Sequence, residues 1–273
     1  MEFSVFIFVL VAAVIHATWN SWLKQSHNRL LSMALMGLGW VVFSLPWIFI
    51  LPPPGRASWP YLFFSTIAHV IYALFLIAAY RKVNLSVAYP LFRGSAPLMI
   101  ALGSWVILGE SLSFNEVIAI MLITVGILVI SYHRDILMGI MLVFGVLGGA
   151  LIATYTLLDG QGARLSTSAL SYASWLFMFS GTPLFLLGIA RSGGAMKALP
   201  MRDIFISITS GILSCTAFCI IIWALTKSPM GLVSALRETS VLMVAFISAY
   251  HLKEKVSWPG IFLMVSGLIW MRL

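Results

Sequence analysis

The chain is predicted to be an all-α membrane protein: ten transmembrane helices arranged as two inverted five-helix repeats. Three observations predict this. Hydrophobic residues make up 61% of its 273 residues and charged residues only 9%, with a mean hydropathy of +1.05; a soluble globular chain carries about 25% charged residues. Apolar runs of about 20 residues, the length that crosses a bilayer core, recur ten times. One segment is also written twice: AYPLFRGSAPLMIALGSWVILGE at 88–110 and LVSALRETSVLMVAFISAYHLKE at 232–254, an offset of 144. Without gaps they coincide at Arg93/Arg237, Leu98/Leu242, Met99/Met243, Ala101/Ala245, Ser104/Ser248, Leu108/Leu252 and Glu110/Glu254, and Ser113/Ser257 extend the match. A duplicated membrane unit holding a charge is the sequence pattern of a transporter.

The first run, 3–22, has no basic segment before it and follows Glu2, so it reads as a retained helix and not a cleaved signal. The others cover about 30–51, 59–80, 86–108, 113–131, 136–158, 167–190, 201–226, 231–251 and 256–272. Between them stand loop residues: Lys24 to Arg29, Pro52-Pro53-Pro54-Gly55, Arg81-Lys82, Gly109-Glu110, His133-Arg134-Asp135, Gly160 to Arg164, Arg191 to Lys197, Lys227-Ser228-Pro229 and Lys253 to Lys255. The duplication divides the chain at 1–133 and 134–273. Five helices per repeat is an odd number, so the second repeat enters the membrane upside down.

Orientation follows from Lys and Arg. Loops 1–2, 3–4, 5–6, 7–8 and 9–10 hold Lys24, Arg29, Arg81, Lys82, Arg134, Arg191, Lys197, Arg202, Lys253 and Lys255; the opposite side holds Arg56, Arg164, Lys227 and Arg272. This places the first set in the cytoplasm and both termini outside. The net charge of +8 is spread singly over loops and forms no patch, so no nucleic-acid partner is expected. The partners are the lipid bilayer and a small-molecule substrate. Ten helices suffice to enclose a path, so a monomer or a homodimer is expected.

Charge at membrane depth costs about 2.5–3.5 kcal/mol on insertion scales and points to function. Arg93, Arg237 and Glu238 meet that description, with Asp159 at the end of helix 6. Tyr89 lies one turn from Arg93 on the same face, and Pro90 and Pro97 flank the pair. Each arginine sits about seven residues into its helix, roughly 10 Å. Guanidinium grips two oxygens at once, so the pair suits a carboxylate, phosphate or phosphonate. The competing reading is that both arginines pair with Glu238, Asp159 or helix-end carbonyls and only hold the bundle together. His16, Asn20 and Lys24 form a polar stripe on helix 1 bordered by Trp19. Helix 3 adds His69 and Tyr72, and helix 6 adds Tyr155 one turn before Asp159. These residues either line a cavity or pack. Asp159, Glu238 and His69 are candidates for coupling or gating. Glu110 and Glu254, at wet helix ends, read as structural. Gly145 and Gly149 suggest a close helix contact.

Cys215 and Cys219, four apart in an apolar run, read as packing residues; no metal site and no cofactor are expected. No HExxH, GxSxG, Walker loop or GxGxxG motif is present. The chain therefore reads as no enzyme, and transport driven by ATP through it is not expected. Export of cationic drugs or polyamines competes with anion transport, but two intramembrane arginines repel cations. A non-transport role, such as a subunit of a lipid-carrier flippase, is the third reading.

The ten-helix length, the five-plus-five duplication and the repeats ending in LGE and LKE resemble the drug/metabolite transporter superfamily in its EamA-type branch, over essentially the whole chain. HATWNSWLK at 16–24, YPLFRGSAP at 89–97, DGQGAR at 159–164 and ALRETS at 235–240 are similar to a subgroup in which some members are named for an association with phosphonate use. The resemblance implies a multi-pass transporter of the bacterial inner membrane, in many cases an exporter of amino acids or other small metabolites. It implies a central cavity lined by helices 1, 3, 4, 6, 8 and 9, onto which His16, Asn20, Tyr72, Tyr89, Arg93, Tyr155, Asp159 and Arg237 would fall. It also implies cytoplasmic termini, against the Lys/Arg count.

Overall fold

A computed structural model describes residues 1–23, 28–80, 85–131, 138–192, 194–243 and 257–272, with the backbone alone at 29–30, 77–80, 85–91, 131, 138–142, 144 and 197–198. Ten α-helices run through these residues: α1 (Phe3–Leu23), α2 (Arg29–Ile50), α3 (Trp59–Tyr80), α4 (Leu85–Leu108), α5 (Phe114–Ser131), α6 (Met138–Arg164), α7 (Ala169–Arg191), α8 (Met201–Leu225), α9 (Met230–Arg237) and α10 (Trp258–Trp270). Short 3-10 turns occupy Arg56–Ser58 and Ala195–Ala198, and no strand occurs among the described residues. Among the described residues, five helical segments, Phe3–Leu23, Leu31–Ile50, Arg56–Leu76, Ala169–Arg191 and Met201–Leu225, are long and apolar enough to cross a membrane. Large apolar side chains such as Phe49, Phe205 and Phe262 stand exposed on the helices, as lipid contact requires.

Polar residues set several helix starts. The Asn28 side chain accepts from Leu31 N at the head of α2, and Ser168 Oγ accepts from Ser171 N at the head of α7. At α5, Ser113 and Glu116 each accept the other's backbone N–H, the reciprocal capping box.

Two elements depart from expectation. Helix 6 was expected to stop at 158, but α6 runs on to Arg164. Gly162 acts there as a packing residue, since a Cβ would collide with the Tyr172 ring. Arg164 Nε then donates to Leu225 O at 2.9 Å. Asp159 is thus inside a helix and not at its end. Helix 9 was expected to be continuous over 231–251; α9 stops at Arg237, Glu238 forms a turn, and helix resumes at 239–243. Thr239 Oγ1 donates to Leu236 O at 2.8 Å, a side-chain bond that competes with the helical ladder.

The residues form two compact units, one of 1–10, 71–157 and 227–273, the other of 11–70 and 158–226. Each draws on both halves of the sequence. Within the first, α5 packs along α10 and α4 against α9. Ser95 Oγ donates to Gly145 O at 2.7 Å, and Gly149 leaves room for Ser95, so the close helix contact expected from Gly145 and Gly149 is made with α4. Within the second, α2 packs against α7 and α8, and Trp40 Nε1 donates to Ser214 Oγ at 2.8 Å.

The α2–α7 contact is reciprocal. A Cβ on Gly37 would lie 2.7 Å from Gly181 O, and one on Gly181 would lie 2.6 Å from Gly37 O. The two glycines are 144 residues apart, the offset of the duplicated segment. Equivalent positions of the two repeats therefore meet backbone to backbone. Small residues allow that approach, and in a membrane close packing substitutes for the missing hydrophobic drive.

Candidate functional site

Two buried polar clusters stand out, one in each unit. In the first, Arg93 of α4 and Arg237 at the end of α9 flank Glu238. The three are 4%, 3% and 0% exposed. Arg93 Nε donates to Glu238 Oε2 at 2.5 Å. Arg237 Nε lies 3.5 Å from Glu238 Oε1, an ion-pair contact without a hydrogen bond. Neighbours in sequence point about 100° apart on a helix, so Glu238 reaches across to α4 for its main partner. Two amides of α4 also cannot donate: Pro97 offers no N–H to the Arg93 carbonyl one turn earlier, and Pro90 none to Ser86.

Guanidinium stays charged in proteins. Glu238 has one negative charge and engages Arg93 with it, so Arg237 keeps its own. Nε and Nη2 of Arg237, the two N–H groups of one edge of the fork, have no hydrogen-bond partner. Buried unpaired donors of this kind are costly, and two oxygens of one anion satisfy such an edge.

In the second unit, Asp159 of α6 is 0% exposed and gathers three partners. Ser65 Oγ donates to Oδ1, Tyr172 OH donates to the same oxygen at 3.2 Å, and His69 Nε2 lies 3.0 Å from Oδ2. The His69 ring meets Phe218 edge-on, with centroids 5.7 Å apart. Two hydroxyls and an imidazole nitrogen thus occupy both oxygens of this buried carboxyl group, as a polar group taken out of water requires.

Other predicted residues fall into smaller groups. Tyr72 and Tyr155 face each other with ring centroids 5.5 Å apart. On α1, the His16 and Trp19 rings lie 4.8 Å apart edge-on, and Asn20 Nδ2 donates to His16 O. Asn20 thus spends part of its polarity within its own helix. Tyr89 lies on α4, but its side chain falls outside the described residues, as do Lys24 and Glu254. Glu110, expected to tie the short turn to the next helix, accepts from Met230 N through Oε2 at 2.9 Å and so links the end of α4 to the head of α9. Ser65 and Tyr172 escaped the sequence reading. Ser65 lies one turn before His69 on α3, a spacing that was available as a signal.

The model of the EamA-like transporter family matches residues 3–132 and again 138–272. A solved structure described only as "Crystal structure of protein" superposes with a TM-score of 0.74 at 16% identity, covering 100% of this chain and 99% of that one. That likeness speaks for the fold alone. No curated protein matches the sequence.

Proposed function

Because the chain belongs to the EamA-like transporter family, we propose that it is a secondary transporter of the bacterial inner membrane. It exports a small anionic or zwitterionic metabolite, such as an amino acid or an organophosphonate, by alternating access. The observation that carries this reading is the buried Arg93–Glu238–Arg237 cluster, with its unspent fork on Arg237. A protein interior holds such a charge at considerable cost, and an anionic substrate repays it. The break of the ninth helix beside Arg237 supports the same reading, since transporters build their sites on interrupted helices. All three side chains are buried, so substrate reaches them when this part of the protein opens. Asp159, with its ring of donors and His69 beside it, is the candidate for coupling.

Export of cations requires a carboxylate free to meet them. Glu238 is engaged by Arg93, and Asp159 accepts from its own neighbours, so anion transport is the better fit.

Flux in proteoliposomes tests the reading. Protein loaded with amino acids or organophosphonates is expected to move at least one of them, and Arg237→Ala and Arg93→Ala are expected to abolish the movement while the protein still assembles. Normal flux in both variants refutes the arginine site.

A further inference from the structure

The charge balance of the first cluster limits what its ligand can be. The anion site itself rests on the function proposed above; the limit comes from Glu238. Among the described residues, the elements packed most closely against α9 are α4 and α5. From α4 the charged group facing Glu238 is Arg93. On α5 the only charged residue is Glu116, half-buried at its first turn and engaged with Ser113. Arg237 is the charged group of α9 itself. Glu110 sits at the other end of α9, on Met230 N.

We propose that Glu238 sets the charge of the substrate: the Arg237 fork accepts a group bearing one negative charge, a carboxylate or a singly ionised phosphonate, and rejects a doubly charged one. An anion that takes Nε and Nη2 of Arg237 comes to rest beside Glu238 Oε1, which is 3.5 Å from that Nε. One incoming charge is balanced by the guanidinium of Arg237. Among the described residues a second finds no other cation at this cluster, because Glu238 already holds Arg93 at 2.5 Å. That second charge faces the Glu238 carboxylate at short range in a site where water does not screen it, and each such mismatch is worth kilocalories. Glu238 is therefore a specificity-determining residue, acting by repulsion as much as by attraction. Removing its charge lifts that repulsion and raises the net positive charge of the cluster by one, which makes room for a second negative charge.

Methanesulfonate and sulfate form a matched pair for the test. They are similar in size and both tetrahedral, they carry one and two charges, and neither titrates near neutral pH. Binding of each to the full-length protein in detergent is measured by calorimetry, in buffer free of other oxyanions. Wild-type protein is expected to favour methanesulfonate by about tenfold or more, the factor corresponding to 1.4 kcal/mol. Glu238→Gln is expected to reverse the order, and Arg237→Gln to lose both. Sulfate binding to wild-type protein as tightly as methanesulfonate overturns the charge limit and leaves the anion site standing. Failure of both probes to bind wild-type protein overturns the site and the limit together. If Glu238→Gln does not assemble, the wild-type ratio alone decides.

Discussion

A carboxylate with no exposure, such as Asp159, survives in a membrane protein only if its lone pairs are filled. Ser65, Tyr172 and His69 fill them. Hydrogen bonds to charged groups contribute about 1.5–3 kcal/mol each, so Ser65→Ala and Tyr172→Phe are each expected to cost about that much in unfolding free energy. In an Asp159→Asn background the same substitutions are expected to cost clearly less, because the acceptor is no longer charged. Equal costs in both backgrounds, measured as a double-mutant cycle, mean that the carboxylate is not what the hydroxyls serve. Asp159 and His69 could be picked from the sequence because each interrupts an apolar run. Their partners could not. Serine and tyrosine are common in membrane helices, and Ser65 and Asp159 are 94 residues apart, a pairing that only the tertiary fold creates.

Helices were readable as lengths of apolar chain, and most observed ends lie within a residue or two of the expected ones. The exceptions arise where side-chain bonds outweigh the local pattern. The polar run Arg237-Glu238-Thr239-Ser240 interrupts the apolar stretch 231–251, but a polar run alone does not say that the helix breaks there; the break goes with the reach of Glu238 to Arg93 and with the Thr239 hydroxyl on Leu236 O. Glycines 160 and 162 looked like a helix end, but the Tyr172 ring rests against Gly162 and α6 continues. The head of α9 depends on a distant residue in the same way. Its first N–H groups lack helical partners, and Pro229 before it makes no side-chain cap, so Glu110 supplies the acceptor from the end of α4. Glu110→Ala is expected to cost about 0.5–2 kcal/mol, the usual range for a lost cap, and to speed amide exchange at Met230 before the rest of α9. Glu110→Gln keeps an acceptor and is expected to restore part of the protection. Unchanged exchange at Met230 in the alanine variant shows that the cap does not hold α9.

Across the whole molecule, the internal duplication was readable and the division into compact units was not. Arg93 and Arg237 announced the offset of 144, and Gly37 and Gly181 repeat it as a backbone contact. The units, by contrast, mix both halves of the sequence and divide within α1, α3 and α6, and no composition change marks those points. Orientation is a property of this same scale, because a repeat of five helices cannot return the chain to its starting side. The Lys and Arg count places ten basic residues on one side and four on the other. The loops are short, the condition under which the positive-inside bias acts, whereas the family resemblance implies the opposite placement. The count predicts that a reporter active only outside the cytoplasm works when fused to either terminus and fails when inserted in the loop at 191–202. It predicts as well that neutralising Arg191, Lys197 and Arg202 together weakens that preference, since the bias is set by charge and not by helix order. Termini that report cytoplasmic placement would show that the ten basic residues face outward, and that the orientation comes from something other than the loop charges.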